Sequence, residues 1–473
     1  MSSRGIADHP DARDPAARDL DASETDDVTG RLARSSHRYR YADLPDDVLL
    51  LARACLLDWT AVSVAGSAEE ATQIVRTEVR AEGATPRATL IGTGERVSAV
   101  QAALVNGTAA HALDFDDVSQ AMDGHPSAAL WPALVALAEE VPLDGRVLLE
   151  AFVVGFELEC VVGRLMGPDH YAAGWHATET IGVIGAALAC AHALGLSDEQ
   201  RQIAIGLAAT QAAGMKVNFG TMAKPLHAGL AAANGLRAAR LAARGFTANP
   251  AILDVARGFV SLYAGSGDET EAFRLARTDF HLRDVMFKVH AACFFTHSSI
   301  DGVSELVAAH DLTPGDIRSI ELRVPPQHLT ACNISDPSTP LEAKFSLRFT
   351  AGMAAARRDL GSEGFSPEVV ADPALRALHD KVVVVADPAQ RRVYESLVSL
   401  TTTDGATVRA SVDMAQSRRE GAEVQWTRVE GKARQLVAGV LGSGAASAVV
   451  DAVSAIDDAP SVEALVAAAT RPS

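Results

Sequence analysis

The segment His111-Ala-Leu-Asp114-Phe-Asp116-Asp117, continued by Gly124-His125-Pro126-Ser127, decides how the rest of this sequence is read. It sets two histidines and a cluster of carboxylates between two apolar stretches, Ala99 to Leu113 and Pro126 to Glu139. Both stretches are rich in Ala, Val and Leu and read as buried helices. Ionised groups held between such helices cost several kcal/mol when left unpaired. A chain that keeps them there is doing chemistry with them.

Outward from this segment the first half reads as helix after helix. Leu44-Pro45-Asp46-Asp47 carries helix-start chemistry, with proline near the first turn and acids at the positive end of the dipole. It predicts a helix over 48–64 that stops at Gly66. A more polar helix over 69–82 follows, then an extended piece over 88–91 leading through Gly92-Thr-Gly94. Downstream, 143–165 reads as a long apolar helix interrupted by Gly155, and 178–194 as a small-residue helix that must pack closely. Ser197-Asp-Glu-Gln200 is a capping-box start for a helix to about residue 213. Pro225 opens a further helix to Ala243.

After about residue 275 the texture changes. Residues 317–324 alternate as a half-buried strand does, and 381–386 and 397–409 read as further strands, the last split by the turn signal Asp404-Gly405. Residues 300–310 and 345–360 read as helices, and 427–469 returns to alanine-rich helix. The expected fold class is mostly α with an α+β second domain. A helical domain over about 40–275 is completed by 412–468, and an α+β domain over 276–411 is inserted between them. Residues 1–36 contain almost no large apolar side chain and are expected to be disordered.

Composition bounds the function. A length of 473 residues makes two domains the default expectation, and 48% hydrophobic content with only 5% aromatic favours packed helices. The net charge of −18 argues against nucleic acid as a partner, since phosphate binding needs a basic face. There is no uncharged apolar run of membrane-spanning length and no apolar stretch of signal-peptide type at the start, so no membrane partner is expected. Five scattered cysteines without metal spacing suggest reduced thiols and a cytoplasmic protein. The glycines at 92, 94, 182 and 185 lack a surrounding βαβ unit and are no dinucleotide fingerprint.

The chain resembles the MmgE/PrpD family, which contains 2-methylcitrate dehydratase, cis-aconitate decarboxylase and iminodisuccinate epimerase. The resemblance rests on the opening segment, on Gly174-Trp-His176-Ala-Thr178 before Gly182-x-x-Gly185, on Lys224-Pro225-Leu-His227-Ala-Gly229, and on Ala343-Lys344-Phe-Ser-Leu347, in that order. It covers roughly residues 40–465. It implies proton transfer at a carbon next to a carboxylate, with no metal and no other cofactor, on a small anionic carboxylate substrate. It also suggests a homodimer. Lys288, Cys293 and His297 lie in a segment similar to the family's Lys-Pro-Tyr-Pro-Cys-Cys-x-x-[Thr/Ser]-His, with both prolines absent. By the resemblance, Cys293 stands where the decarboxylases carry a histidine.

The candidate catalytic residues are Asp114, His125, His176 and Lys224. His125 and Lys224 each precede a proline, and His176 lies just ahead of an apolar helix. Three helix starts can therefore converge on one anion site, their N–H groups and positive dipole ends reinforcing Lys224. His125 and His176 are the candidate proton carriers, with Asp114 orienting one of them. His111, three residues before Asp114, is a candidate partner of that acid. His111, Tyr171, Lys288, Cys293 and His297 are candidate substrate contacts. One of Asp116 and Asp117 is expected only to cap the loop. Loss of a β-hydroxyl makes a dehydratase, loss of CO₂ a decarboxylase, and return of the proton to the other face an epimerase or isomerase. The dehydratase-like lyase ranks first and the epimerase second.

Overall fold

In the computed structural model the described residues are 27–390 and 392–471. The first of their helices, α1 (Val28–Ser35), corrects the expectation of disorder over 28–36. Asp27 accepts a hydrogen bond from the Gly30 N–H as its N-cap, and Val28, Leu32 and Ala33 are buried. The few apolar residues of this stretch fall on one helical face, which is enough to dock it. Residues 1–26 of that expectation lie outside the described residues.

The apolar run after Pro45 becomes α2 (Asp46–Gly66). By length and composition alone it is apolar enough to cross a membrane, yet most of it is buried inside the protein. Beyond its acidic first turn it carries two charges, both paired: Arg53 with Asp457 at 2.9 Å and Asp58 with Lys432 at 2.7 Å. The helix α3 (Glu70–Glu82) leads into a two-stranded hairpin, β1 (Ala88–Thr89) and β2 (Arg96–Val97), turning at Gly92 and Gly94, both with φ of +81°. The strand β2 is too short to leave an alternation in the sequence. A capping box of Ser98 and Gln101 then opens α4 (Ala99–Ala112).

Four further helices surround this core. They are α5 (Pro126–Ala138), α6 (Gly145–Ala172), a single turn α7 (Ala177–Thr180) and α8 (Gly182–Ala193). Gly155 does not interrupt α6; a Cβ there would lie 2.8 Å from the Cβ of Ala189, so this glycine serves close packing. The break comes at Gly167, with φ of +62°, just before Pro168. The capping box at Ser197 and Gln200 opens α9 (Asp198–Ala209), against which α1 packs. The last helix of this half, α10 (Ala223–Ala243), begins two residues before Pro225, so Lys224 stands inside its first turn.

The second half builds one sheet, in the order β4–β3–β5–β6 from β3 (Ile317–Val324), β4 (Val382–Ala386), β5 (Glu395–Thr402) and β6 (Thr407–Asp413). The β3–β4 pair is parallel and the other two antiparallel. Gly405, with φ of +95°, turns β5 into β6 as the Asp-Gly pair predicts. The helix Phe294–Ala309 covers β5 and β6. The chain then returns to the first half, where the helix Ala422–Leu441 packs along α2. The fold class is thus mostly α with a smaller α+β part.

Close helix contact fixes the position of α10. At its crossing with α4, a Cβ on Gly229 would lie 2.3 Å from the Leu104 carbonyl oxygen, and one on Gly107 2.8 Å from the Gly229 Cα. Backbone atoms cannot step aside, so the two helices must separate to admit a methyl group. Alanine adds up to about 1 kcal/mol of helix propensity over glycine, but overpacking costs about 1–3 kcal/mol. Gly229→Ala should therefore destabilise the protein despite its better propensity, as urea denaturation would measure.

Candidate active site

The loop after α4 is the hub of the site. Helix geometry stops at Ala112, and Asp114 takes a left-handed conformation with φ of +52°, which aspartate tolerates better than a branched residue. Isolated β-bridges tie Val118 to Met286 and Ser119 to Gly124. Three lysine ammoniums donate to consecutive carbonyl oxygens of the loop. Lys344 reaches Leu113 at 3.0 Å, Lys288 reaches Asp114 at 2.9 Å, and Lys432 reaches Phe115 at 2.5 Å. Lys288 also donates to Asp114 Oδ1 at 2.7 Å, and Lys224 donates to the same oxygen at 2.8 Å.

The histidines join this network with their tautomers fixed by their partners. His111 Nδ1 lies 2.8 Å from Asp116 Oδ2, so it donates there and leaves Nε2 to accept from Lys224 at 2.7 Å. The expected His111–Asp114 pair is therefore replaced by His111–Asp116, with Lys224 bridging to Asp114; the helix ends before Asp114 and the same-face argument lapses. His125 Nδ1 lies 2.8 Å from the Asp117 carbonyl oxygen, which can only accept. Its Nε2 is the unprotonated nitrogen, 4.0 Å from Asp114 Oδ1. Asp117 caps α5, accepting from the Ser127 N–H at 3.2 Å and from its hydroxyl. Of the two acids it is the one that plays the expected capping part.

Charge states follow from burial and neighbours. Burial pushes the Asp114 carboxyl up, but Lys224 and Lys288 more than offset it and hold the group well below the usual carboxylate range. Burial lowers His125 and His176 far below the ordinary imidazole value, so both are neutral bases at neutral pH. Burial also lowers Lys224, with Asp114 opposing it. Asp117 is pushed up to about 7 by burial and by Asp58.

A pocket of about 480 Å³ opens on this network. Asp114, His125, His176, Lys224, Tyr171 and Cys293 all line it. Phe219 and Phe345 flank the Lys224 ammonium at 5.4 and 5.3 Å from their ring centres, giving it an apolar collar. His125 and His176 are the N-caps of α5 and of the single turn α7, and the His125 N–H donates to Thr178 Oγ1 at 3.2 Å, tying the two starts together. The expected convergence of three helix starts is modified in two respects, since α7 is one turn and Lys224 is inside its helix. His111, Lys288 and His297 do not line the pocket. His111 and Lys288 are 1% exposed and stand behind Asp114. His297 is fully buried, 4.9 Å ring to ring from His290, and belongs to the core. These three are corrected from substrate contacts to supporting residues, because the loop's backbone and Asp116 claim their polar atoms or the core encloses them.

His111, Asp114, Asp116 and His125 could by spacing alone hold a metal ion. The donor set does not suit one: two ammoniums already lie on Asp114 Oδ1, and His111 is engaged on both ring nitrogens. A divalent ion would have to sit against those positive charges. Sequence reasoning missed Lys432 as part of this site, since a lysine on a half-polar helix reads as a solvated face. It also missed Lys344 as a site residue, although its motif contributes to the family resemblance.

Removing one charge from a buried cluster is costly because it strands the other. Lys288→Met should lose about 3 kcal/mol at neutral pH, the low end for a broken buried pair, because Lys224 remains on Asp114. Adding Asp114→Asn should recover part of that loss, and a double-mutant cycle by urea denaturation would measure the coupling.

Comparison with known proteins covers most of the described residues. The MmgE/PrpD N-terminal domain matches residues 30–271 and the MmgE/PrpD C-terminal domain matches residues 290–458. The cis-aconitate decarboxylase of Mus musculus is 30% identical over 404 residues, covering 80% of each chain. That of Homo sapiens is 31% identical over 402 residues, covering 80% of this chain and 82% of the relative. The cis-aconitate decarboxylase of Aspergillus terreus is 27% identical over 300 residues, covering 60% and 61%. The chain belongs to the MmgE/PrpD family.

Proposed function

We propose that this enzyme is a lyase acting on a di- or tricarboxylate or a related acid, by proton transfer at the carbon next to a carboxylate and without a metal ion or organic cofactor. The observation that carries the reading is the wall formed by the Lys224 ammonium and two neutral imidazoles, His125 and His176, in one buried pocket. Lys224 meets a substrate carboxylate and stabilises the enolate-like charge that builds as the proton leaves. Its aromatic collar keeps water away and strengthens that interaction. Asp114 holds the ammonium in place from behind.

The tautomers support a division of labour between the proton carriers. His125 Nε2 is unprotonated and faces the pocket, so it is the base. His176 donates from its pocket-facing nitrogen to the leaving group. Expulsion of a β-hydroxyl gives a dehydratase, which is the primary reading. Decarboxylation of a cis-aconitate-type acid is the second, favoured by the names of the relatives.

Incubating the protein in deuterium oxide with a panel of di- and tricarboxylates, cis-aconitate included, tests this by product analysis. Water loss or addition supports the primary reading and CO₂ release the second. Exchange with neither would point to an epimerase, and binding without exchange would overturn the enzyme reading. Exhaustive chelation should leave turnover intact. Lys224→Ala should lower the rate by roughly 10²–10³, and His125→Ala or His176→Ala by roughly 10²–10⁴. His125→Ala and His176→Ala should fold normally, since these side chains line a cavity. Lys224→Ala should also lose stability, as Lys288→Met does, because it takes an ammonium from the buried Asp114, so its rate is read on folded protein.

A further inference from the structure

We infer that His227 and Glu179 form a proton relay behind His176, resupplying the proton that His176 gives up in the reaction proposed above, on which this inference rests. His176 Nδ1 lies 2.9 Å from His227 Nδ1. The other nitrogen of His227, Nε2, lies 3.9 Å from Glu179 Oε2. That oxygen is buried and has no hydrogen-bond partner among the described residues. A buried, unpartnered carboxyl oxygen costs free energy, and here it is aimed at the second imidazole from the pocket.

The geometry defines a balanced sequence. In the starting state His176 carries its proton on Nε2 and accepts at Nδ1 from the His227 Nδ1–H. His227 Nε2 is unprotonated and faces the protonated Glu179 carboxyl. When the His176 Nε2–H bond breaks and the proton passes to the leaving group, the His227 Nδ1 proton moves to His176 Nδ1. The Glu179 proton then moves to His227 Nε2. Both imidazoles end neutral in their other tautomers, and Glu179 ends as the carboxylate. Neither His176 nor His227 passes through an imidazolium ion, which the Lys224 charge would oppose.

The surroundings suit these states. Burial pushes Glu179 up to about 8, so it holds its proton at neutral pH, and burial pushes His227 down to about 4, so it is neutral. The titratable groups facing Glu179 are His176 on its own segment, His227 on α10, and Tyr263, whose hydroxyl donates to the Ala212 carbonyl at 2.7 Å. The 3.9 Å step requires the carboxyl to swing. Gly214 permits this: with φ of +96°, it has no Cβ where one would lie 2.5 Å from Glu179 Oε2. Its carbonyl also accepts from the His176 N–H at 3.1 Å.

The relay is tested on the full-length protein, isotope-labelled in its glutamate carboxyls and histidine rings, by NMR and kinetics together. A carboxyl resonance titrating near pH 8 should vanish in Glu179→Gln, and the His227 ring nitrogens of the unmutated protein should respond to that titration. With the carboxylate that the panel identifies, Glu179→Gln should lower kcat about 10-fold or more, leave KM within about twofold, and remove the fall in kcat on the alkaline side. Glu179→Asp should restore part of kcat and return that fall. His227→Gln should lower kcat similarly while His125-dependent exchange persists. Unchanged kcat and pH profile in Glu179→Gln, or His227 nitrogens indifferent to the carboxyl titration, would overturn the relay. If no carboxylate is turned over by the unmutated protein, the functional reading falls, and the NMR response still decides whether the three groups are coupled.

Discussion

The site depends on a row of buried ammonium-to-carbonyl hydrogen bonds. Lys344, Lys288 and Lys432 each hold one of the consecutive carbonyls of Leu113, Asp114 and Phe115. Desolvating an ammonium costs several kcal/mol, and a lone carbonyl does not repay it. The remainder comes from carboxylates: Asp114 serves Lys288 and Lys224, and Asp58 serves Lys432. Cations and anions are thus interleaved within one small volume, and the left-handed Asp114 is held by contacts from several directions at once. The left-handed turn and the charge pairing support each other.

This explains how an acidic chain can present a cation to an anionic substrate. Lys224 is the ammonium that reaches the pocket, while Lys288, hidden at 1% exposure, lets Asp114 remain ionised beside it. The histidines experience the opposite treatment. Burial strips them of charge, and His111, locked between Asp116 and Lys224, passes rigidity from one ionic group to the next. Neutral bases beside a positive clamp are the arrangement that removal of a weakly acidic proton requires.

Much of this was legible in the sequence because its causes are local. The proline after His125, the capping box at Ser197 and the Asp404-Gly405 turn each act within a few residues, and each marks what the structure shows. Gly155 misled because a glycine in a helix reads as a break until its neighbour Ala189 is known. The helix α1 was hidden by its polar context, where a few apolar residues suffice to dock a short helix. His111 was paired with the wrong aspartate because the helix ends one residue too soon. Lys432 was invisible for a different reason: its partners Asp58 and Phe115 are hundreds of residues away, and no spacing encodes them.

That separation has a consequence for synthesis. The loop at 113–117 emerges from the ribosome well before one of its ammonium partners, Lys432, which sits 317 residues after Phe115 in the helix Ala422–Leu441. Until that helix docks along α2, Asp58 is a buried acid without its cation and the loop lacks one of its anchors. The nascent chain therefore carries a pocket that is chemically complete in residue types but unlocked in geometry. Catalytic competence should appear late and all at once, when that helix has docked.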